Sequence, residues 1–208
     1  SQTAYISSNP YAELILEKDP TGEHAEKFPR VNRYGNSNVV SAGDFDTYVG
    51  LYDQSVSYGN FNFPDPRLVT DHTINIDRES NPQRIIAHYM PPHSPYVVEY
   101  NDSERQFVDP RPSTSFDAYL DNLRWALEEV ELLLKNVDRD RVVITADHGE
   151  NFFLRLLQRN HNPGMINPSV RQVPWMVTHG EDKQTYEPEI TDDYQTTGRD
   201  EMLEALGY

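Results

Sequence analysis

The chain contains no cysteine, which excludes disulfides, thiolate metal sites and a cysteine nucleophile. Lysine is nearly absent too, with Lys18, Lys27, Lys135 and Lys183 as the whole complement. With 18 Lys+Arg against 34 Asp+Glu the net charge is −16. That balance argues against a nucleic-acid partner recognised through a basic face. Long apolar runs are missing as well: Leu132 to Leu134 and Val142 to Thr145 fall far short of the ~20 residues of a membrane span. No glycine-rich phosphate loop, G-x-S-x-G elbow or H-E-x-x-H is present, so a serine-triad hydrolase finds little support. A basic-then-apolar leader is not visible, which points to the cytoplasm, although the chain opens at Ser1 without methionine and leaves room for a removed leader or a larger N-terminal piece.

What is there is one domain's worth of chain, 208 residues at 24.1 kDa, enough to bury a core. Carboxylates hold water, and their mutual repulsion is screened in concentrated electrolyte, so an acidic surface with few lysines suits strong salt. The melting temperature is therefore expected to rise in molar salt. A melting series without such a rise counts against this reading.

Residues 1–208 read as a single domain. The stretch 20–66 is rich in Asn, Gly, Asp and aromatics without a sustained period, and reads as loop-rich. Arg67 to Ser80, closed by Asn81-Pro82, reads as a helix. Arg84 to Met90 (RIIAHYM) reads as a buried strand stopped by Pro91-Pro92. Ser115 to Asn136 is the clearest helix. Its apolar stripe is Phe116, Tyr119, Leu120, Leu123, Leu127, Val130 and Leu134, Ser113, Thr114 and Ser115 are candidate caps, and Asp117 suits the first turn. Asp121, Glu128, Glu129 and Glu131 read as its solvated face.

Arg141 to Ala146 (RVVITA) has the composition of a central strand covered on both sides. Val173 to Thr178 is a third strand candidate. After an acidic linker over 179–198, Asp200 to Leu206 reads as a short helix. Strand, long helix, strand is the order of a parallel crossover, so the fold class is α/β with a mainly parallel sheet. Ligands then belong at the strands' carboxyl ends.

The candidate site residues follow that rule. Asp147 and His148 close the central strand, and Gly149 permits the sharp turn that lets neighbouring side chains converge. An oxygen and a nitrogen donor together suit zinc or manganese better than calcium or magnesium. The plain alternative is an Asp capping a turn beside an exposed His. His93, in HYMPPHSPY, is held by two prolines and can donate to an anionic oxygen or protonate a leaving group, unless it is only a half-exposed loop residue. His88 reads as a hydrogen-bonded core histidine. His161, in HNPGMINP before Arg171, reads as a further ligand, an anion contact or a surface residue. His24, His72 and His179 read as solvated.

In order, RIIAHYMPPHSPY, then DAYLDNLRWALEEVELLLKNVDRDRVVITADHGE, HNPGMINPSVRQVPWM and LEALGY resemble the sulfatase-like branch of the alkaline phosphatase superfamily, especially acidic versions from salt-loving archaea. The match is strongest from Arg67 to Trp175, and TAYISSNPY resembles the stretch that follows the nucleophile region. The resemblance implies a three-layer α/β/α sandwich, incomplete at its N-terminal side. It also implies a divalent metal, zinc or manganese ahead of calcium, held by Asp147 and His148. His93 falls where the family contacts the transferred group or leaving oxygen. His161 and Arg171 fall near anion contacts, although NFFLRLLQRN departs from the family's usual glycine-containing pattern.

Nothing before TAYISSNPY matches the family's metal-binding aspartates or its Cys, Ser or Thr nucleophile. The expected function is a metal-dependent sulfate or phosphate ester hydrolase completed by an N-terminal chain or by a homo-oligomer. The alternatives are an inactive relative used for anion binding or assembly, and a phospho-group transferase.

Overall fold

The computed structural model describes residues 2–16, 40–52, 54–58, 61–152, 167–190 and 195–196. The chain is α/β. Strand β1 (Thr3–Ser7) is the centre of a three-stranded parallel sheet, flanked by β2 (Thr47–Gly50) and β5 (Arg84–His88). Between β2 and β5 lie β3 (Gln54–Tyr58), β4 (Phe61–Phe63) and helix α2 (Pro66–Ser80), while α1 (Pro10–Leu16) follows β1. The region that reads as loop-rich thus carries three short strands. Their lengths of four, five and three residues leave no room for a readable period of two.

Helix α2 starts where the chain supplies both signals: Asp65 accepts from the Arg67 N–H at 2.8 Å and Pro66 takes the first turn, where its missing donor is no loss. It stops at Asn81, in the left-handed conformation with φ 41°, a role this side chain tolerates. One face of α2 buries Leu68 and Val69 against Ala4, Ile6 and Leu51 of the parallel sheet region.

Antiparallel strands β6 (Tyr96–Asn101) and β7 (Glu104–Arg111) form a second layer under helix α3 (Phe116–Leu134). Ser115 caps α3 through the Ala118 N–H at 3.2 Å, and Asp117 lies in its first turn, as the sequence suggests. The buried face is different from the expected stripe. It is Ala118, Asn122, Trp125, Ala126, Glu129 and Leu133, whereas Phe116, Leu120 and Leu127 are each more than 40 % exposed. Trp125 decides the rotation of the helix, because its ring fills the core among Phe63, Met90, Val97 and Val98 and carries more apolar area than any leucine.

The acidic residues of α3 are correspondingly not one solvated face. Glu129 is 2 % exposed and takes both Nε and Nη2 of Arg67, at 2.7 and 2.9 Å. Asp121 pairs with Arg111, and Glu128 accepts from the Tyr100 hydroxyl at 2.7 Å. Glu131 alone behaves as expected, an exposed partner of Lys135.

Strand β8 (Arg139–Thr145) pairs antiparallel with β9 (Trp175–Gly180), and among the described residues neither joins the parallel sheet. The expected burial of β8 on both faces is not found: Val143 is 37 % exposed, and Arg141 and Thr145 are exposed as well. A β-branched run states that a strand suits a buried setting; it does not supply the layer that covers it. The start of β8 is anchored on α2, where Asp77 accepts from Arg139 and from the Asp138 N–H.

Past β9, residues 181–190 run extended across the ends of α2 and α3. The Glu181 and Lys183 N–H groups donate to Leu134 and Lys135 carbonyls, and Asn136 Oδ1 accepts from Thr185 and Tyr186 N–H. Beneath this strap lies Asp71, 1 % exposed, with Tyr186 and the Glu189 N–H facing it. Burial pushes its carboxyl up to about 6. A raised carboxyl keeps its proton in the folded state only, so stability falls as pH climbs from about 4 to 6 and stays reduced above. Asp71→Asn is expected to change little at pH 4.5 and to stabilise by on the order of 2 kcal/mol at pH 7.5. Denaturant titrations of both proteins at the two pH values check this; an equal offset at both would remove the cause. The terminal helix expected over 200–206 lies outside the described residues.

Candidate functional site

The carboxyl ends of β1, β5 and β8 gather the polar groups of the candidate site. Gly149 explains why β8 can end there, for a different reason from the expected turn. Its N–H donates to the Val170 carbonyl at 2.8 Å, and a Cβ on it would lie 2.1 Å from the Ser169 carbonyl oxygen. The backbone after β8 therefore presses directly on helix α4 (Pro168–Arg171), an approach only glycine allows.

Asp147 and His148, just before that contact, do converge. Asp147 Oδ1 accepts the His148 N–H at 2.9 Å, and Oδ2 faces His148 Nε2 at 3.7 Å. On the other side of the ring, Nδ1 lies 3.0 Å from the Gly149 carbonyl. A carbonyl can only accept, so Nδ1 carries a proton, and in the neutral ring the lone pair is left on Nε2, the nitrogen nearer the Asp147 carboxylate. That is the tautomer in which a histidine ligates a metal while its second nitrogen is tied back. Donors about 2.1 Å from one tetrahedral ion stand roughly 3.4 Å apart, so the observed separation lets both reach a common ion. Among the described residues no group of three His, Cys, Asp or Glu that could hold a metal occurs. The pair thus fits as part of a shell, not as a closed site.

The remaining expected residues divide. His93 sits on the loop after β5; its N–H donates to the Met90 carbonyl at 2.8 Å and its Nδ1 meets the Ser94 carbonyl. Arg171 ends α4, exposed, one residue beyond the carbonyl that holds Gly149. His161 lies outside the described residues, as does His24. His179 is exposed as expected, whereas His72 is half-buried on α2, and burial lowers its pKa.

His88, read as a core residue, is hydrogen-bonded as expected: its Nδ1 lies 3.0 Å from the Tyr5 hydroxyl and 3.2 Å from Ser7 Oγ. It also belongs to the site. Burial lowers its pKa, the Asp147 charge opposes that shift, and His148 adds to it. Asp147 acts on Tyr5 as well. The sequence reads His88 as lying inside a strand that runs to Met90, whereas the strand ends at His88 itself, which is what puts the ring at the sheet's carboxyl end.

The chain matches the family model described as Sulfatase over residues 22–196. It belongs to the sulfatase family. No curated protein and no solved structure matches it. The family is one of hydrolases that generally use a divalent metal. In this sulfatase-family chain the acid and imidazole stand just past the carboxyl end of β8. Among the described residues, no helix of the sulfatase is long and apolar enough to cross a membrane.

Proposed function

We propose that this sulfatase-family chain acts on sulfate or phosphate esters with a divalent metal, zinc or manganese ahead of calcium, held in part by Asp147 and His148. The observation that carries the reading is the 3.7 Å approach of Asp147 Oδ2 to His148 Nε2, with the ring's Nδ1 tied back to the Gly149 carbonyl. Bound there, a divalent ion would supply positive charge to the ester's oxygens. The chain's own residues do the rest: Asp147 and His148 fix the position, His93 on its proline-bounded loop and Arg171 meet the anion, and His161 adds a further contact. The remaining metal donors and the attacking group come from outside the described residues. A cytoplasmic address and adaptation to strong salt belong to the same proposal.

The acidic surface does not oppose an anionic substrate. At 1 M salt the Debye length is ~3 Å, so groups in direct contact decide. The exposed Trp175, Met176 and Val177 of β9 support a partner, either a complementing chain or a second copy, since monomers seldom leave contiguous apolar residues in water.

A second reading is an inactive relative that keeps an anion pocket for binding or assembly. Turnover of aryl sulfate and aryl phosphate with added Zn²⁺, Mn²⁺ or Ca²⁺ separates the two. Hydrolysis that Asp147→Asn abolishes supports the enzyme, and no hydrolysis with any of the three ions supports the inert relative.

A further inference from the structure

Ser7 closes β1 and His88 closes β5, and the two are register partners across the parallel pair. Among the described residues the ring's hydrogen bonds are both on Nδ1. Tyr5 OH and Ser7 Oγ both meet Nδ1. Ser7 is fully buried, and its oxygen already accepts the Asn9 N–H at 3.1 Å.

Counting protons assigns the tautomer. With Nδ1 bare, the Tyr5 and Ser7 hydroxyl protons both find their acceptor in the ring nitrogen that each oxygen meets. With Nδ1 protonated, three protons would compete for two oxygens, one of which already holds a backbone N–H. A buried hydroxyl proton would then be left without a partner, at a cost of about 1–3 kcal/mol. The ring therefore carries its proton on Nε2. Burial keeps it neutral, so the nearby Asp147 carboxylate has no ring charge to cancel.

We propose that His88 is an anion-binding residue of this site, its Nε2–H fixed by Tyr5 and Ser7 as a hydrogen-bond donor to an oxygen of the sulfate or phosphate ester. This rests on the placement of the ester beside Asp147 and His148 given above. Oxygens of an ionised sulfate or phosphate only accept, and a donor set in place before binding has little freedom left to lose. The same assignment gives Tyr5 and Ser7 a purpose: they are positioning residues, since each acts on the ester only through the ring.

Long-range proton–nitrogen NMR on the full chain, loaded with Zn²⁺ and titrated with inorganic sulfate, tests it with two isosteric substitutions. His88→Asn keeps an acceptor at the δ position for Tyr5 and Ser7 and removes the ε N–H. His88→Gln offers an N–H near the ε position and removes the δ acceptor. The expected spectrum shows the proton on Nε2, with that nitrogen moving on sulfate addition. His88→Asn should weaken sulfate roughly tenfold, as loss of one hydrogen bond to a charged group predicts. His88→Gln should stay within about threefold of the parent. A proton on Nδ1, unchanged sulfate affinity in His88→Asn, or no sulfate binding by the parent overturns the inference. Loss of turnover in Asp147→Asn alongside unaltered sulfate binding in His88→Asn would defeat the His88 role alone, whereas turnover indifferent to Asp147→Asn would defeat the site itself.

Discussion

Replacing Arg67 with methionine is expected to lower the unfolding free energy by about 3 kcal/mol, measured as a drop in the urea midpoint. Arg67 grips Glu129 with two hydrogen bonds, and Thr70 adds a third at 3.3 Å. Glu129 is 2 % exposed. Removing the guanidinium leaves that carboxylate buried without its counter-charge, and breaking a buried pair from one side typically costs about 3–5 kcal/mol. The low end applies because the Arg67 side chain is itself 38 % exposed, so water can reach part of the gap. Arg67 also lies over the Tyr186 ring, 5.1 Å from its centroid, and the substitution loosens the strap over Asp71.

The reverse substitution, Glu129→Gln, leaves an arginine that can turn to solvent and should cost only about 1 kcal/mol. The double variant Arg67→Met with Glu129→Leu should recover most of the loss, because it buries no charge. A single Arg67→Met with an unchanged midpoint would show that the pair carries no weight in the fold.

The difference between Glu129 and Glu131 also shows where the sequence is legible and where it is not. Both lie on one helix with similar neighbours, and nothing local states that Arg67, 62 positions earlier, will meet the first and not the second. Signals within one element survived: a serine cap on α3, the Asn81 stop and the strand beginning at Arg84 all stand where the residues put them, although that strand ends at His88 and not at Met90. What failed depended on other elements. Seven apolar residues at helical spacing suggested a core face, but a single tryptophan with a complementary pocket turned α3 away from them. The VVIT run announced a covered strand, yet the antiparallel partner β9 and the exposure of Val143 follow from tertiary neighbours. Parallel pairing was correctly expected, but it is found between β1, β2 and β5 and not at β8.

For the site, Asp147 and His148 were readable as a pair, since adjacency and a following glycine were enough. The reason for the glycine was not readable, because Ser169 and Val170 approach it from twenty residues away. His88 shows the opposite failure. Its strand was identified and its hydrogen bonding anticipated, but the two hydroxyls that set its tautomer belong to β1, whose residues carried no site signal of their own.

Asp147→Ala should remove the metal while leaving the fold intact, and this combination gives the experiment its force. Elemental analysis after dialysis is expected to find about one equivalent of zinc or manganese in the parent and essentially none in the variant. Any ester turnover should fall roughly 100-fold or more, since loss of groups that merely orient ligands already costs 10–100-fold. The Asp147 side chain is 60 % exposed, so its truncation should shift stability by no more than about 0.5 kcal/mol. His148→Ala should match it in metal content, because the two donors share one ion. Gly149 keeps both in place: with Ser169 carbonyl oxygen 2.1 Å from where a Cβ would stand, the β8 end cannot drift from α4 without opening the 3.7 Å approach. Full metal content in Asp147→Ala would break the link between this strand end and the ion. The chain would then keep its place in the sulfatase family and lose this account of its chemistry.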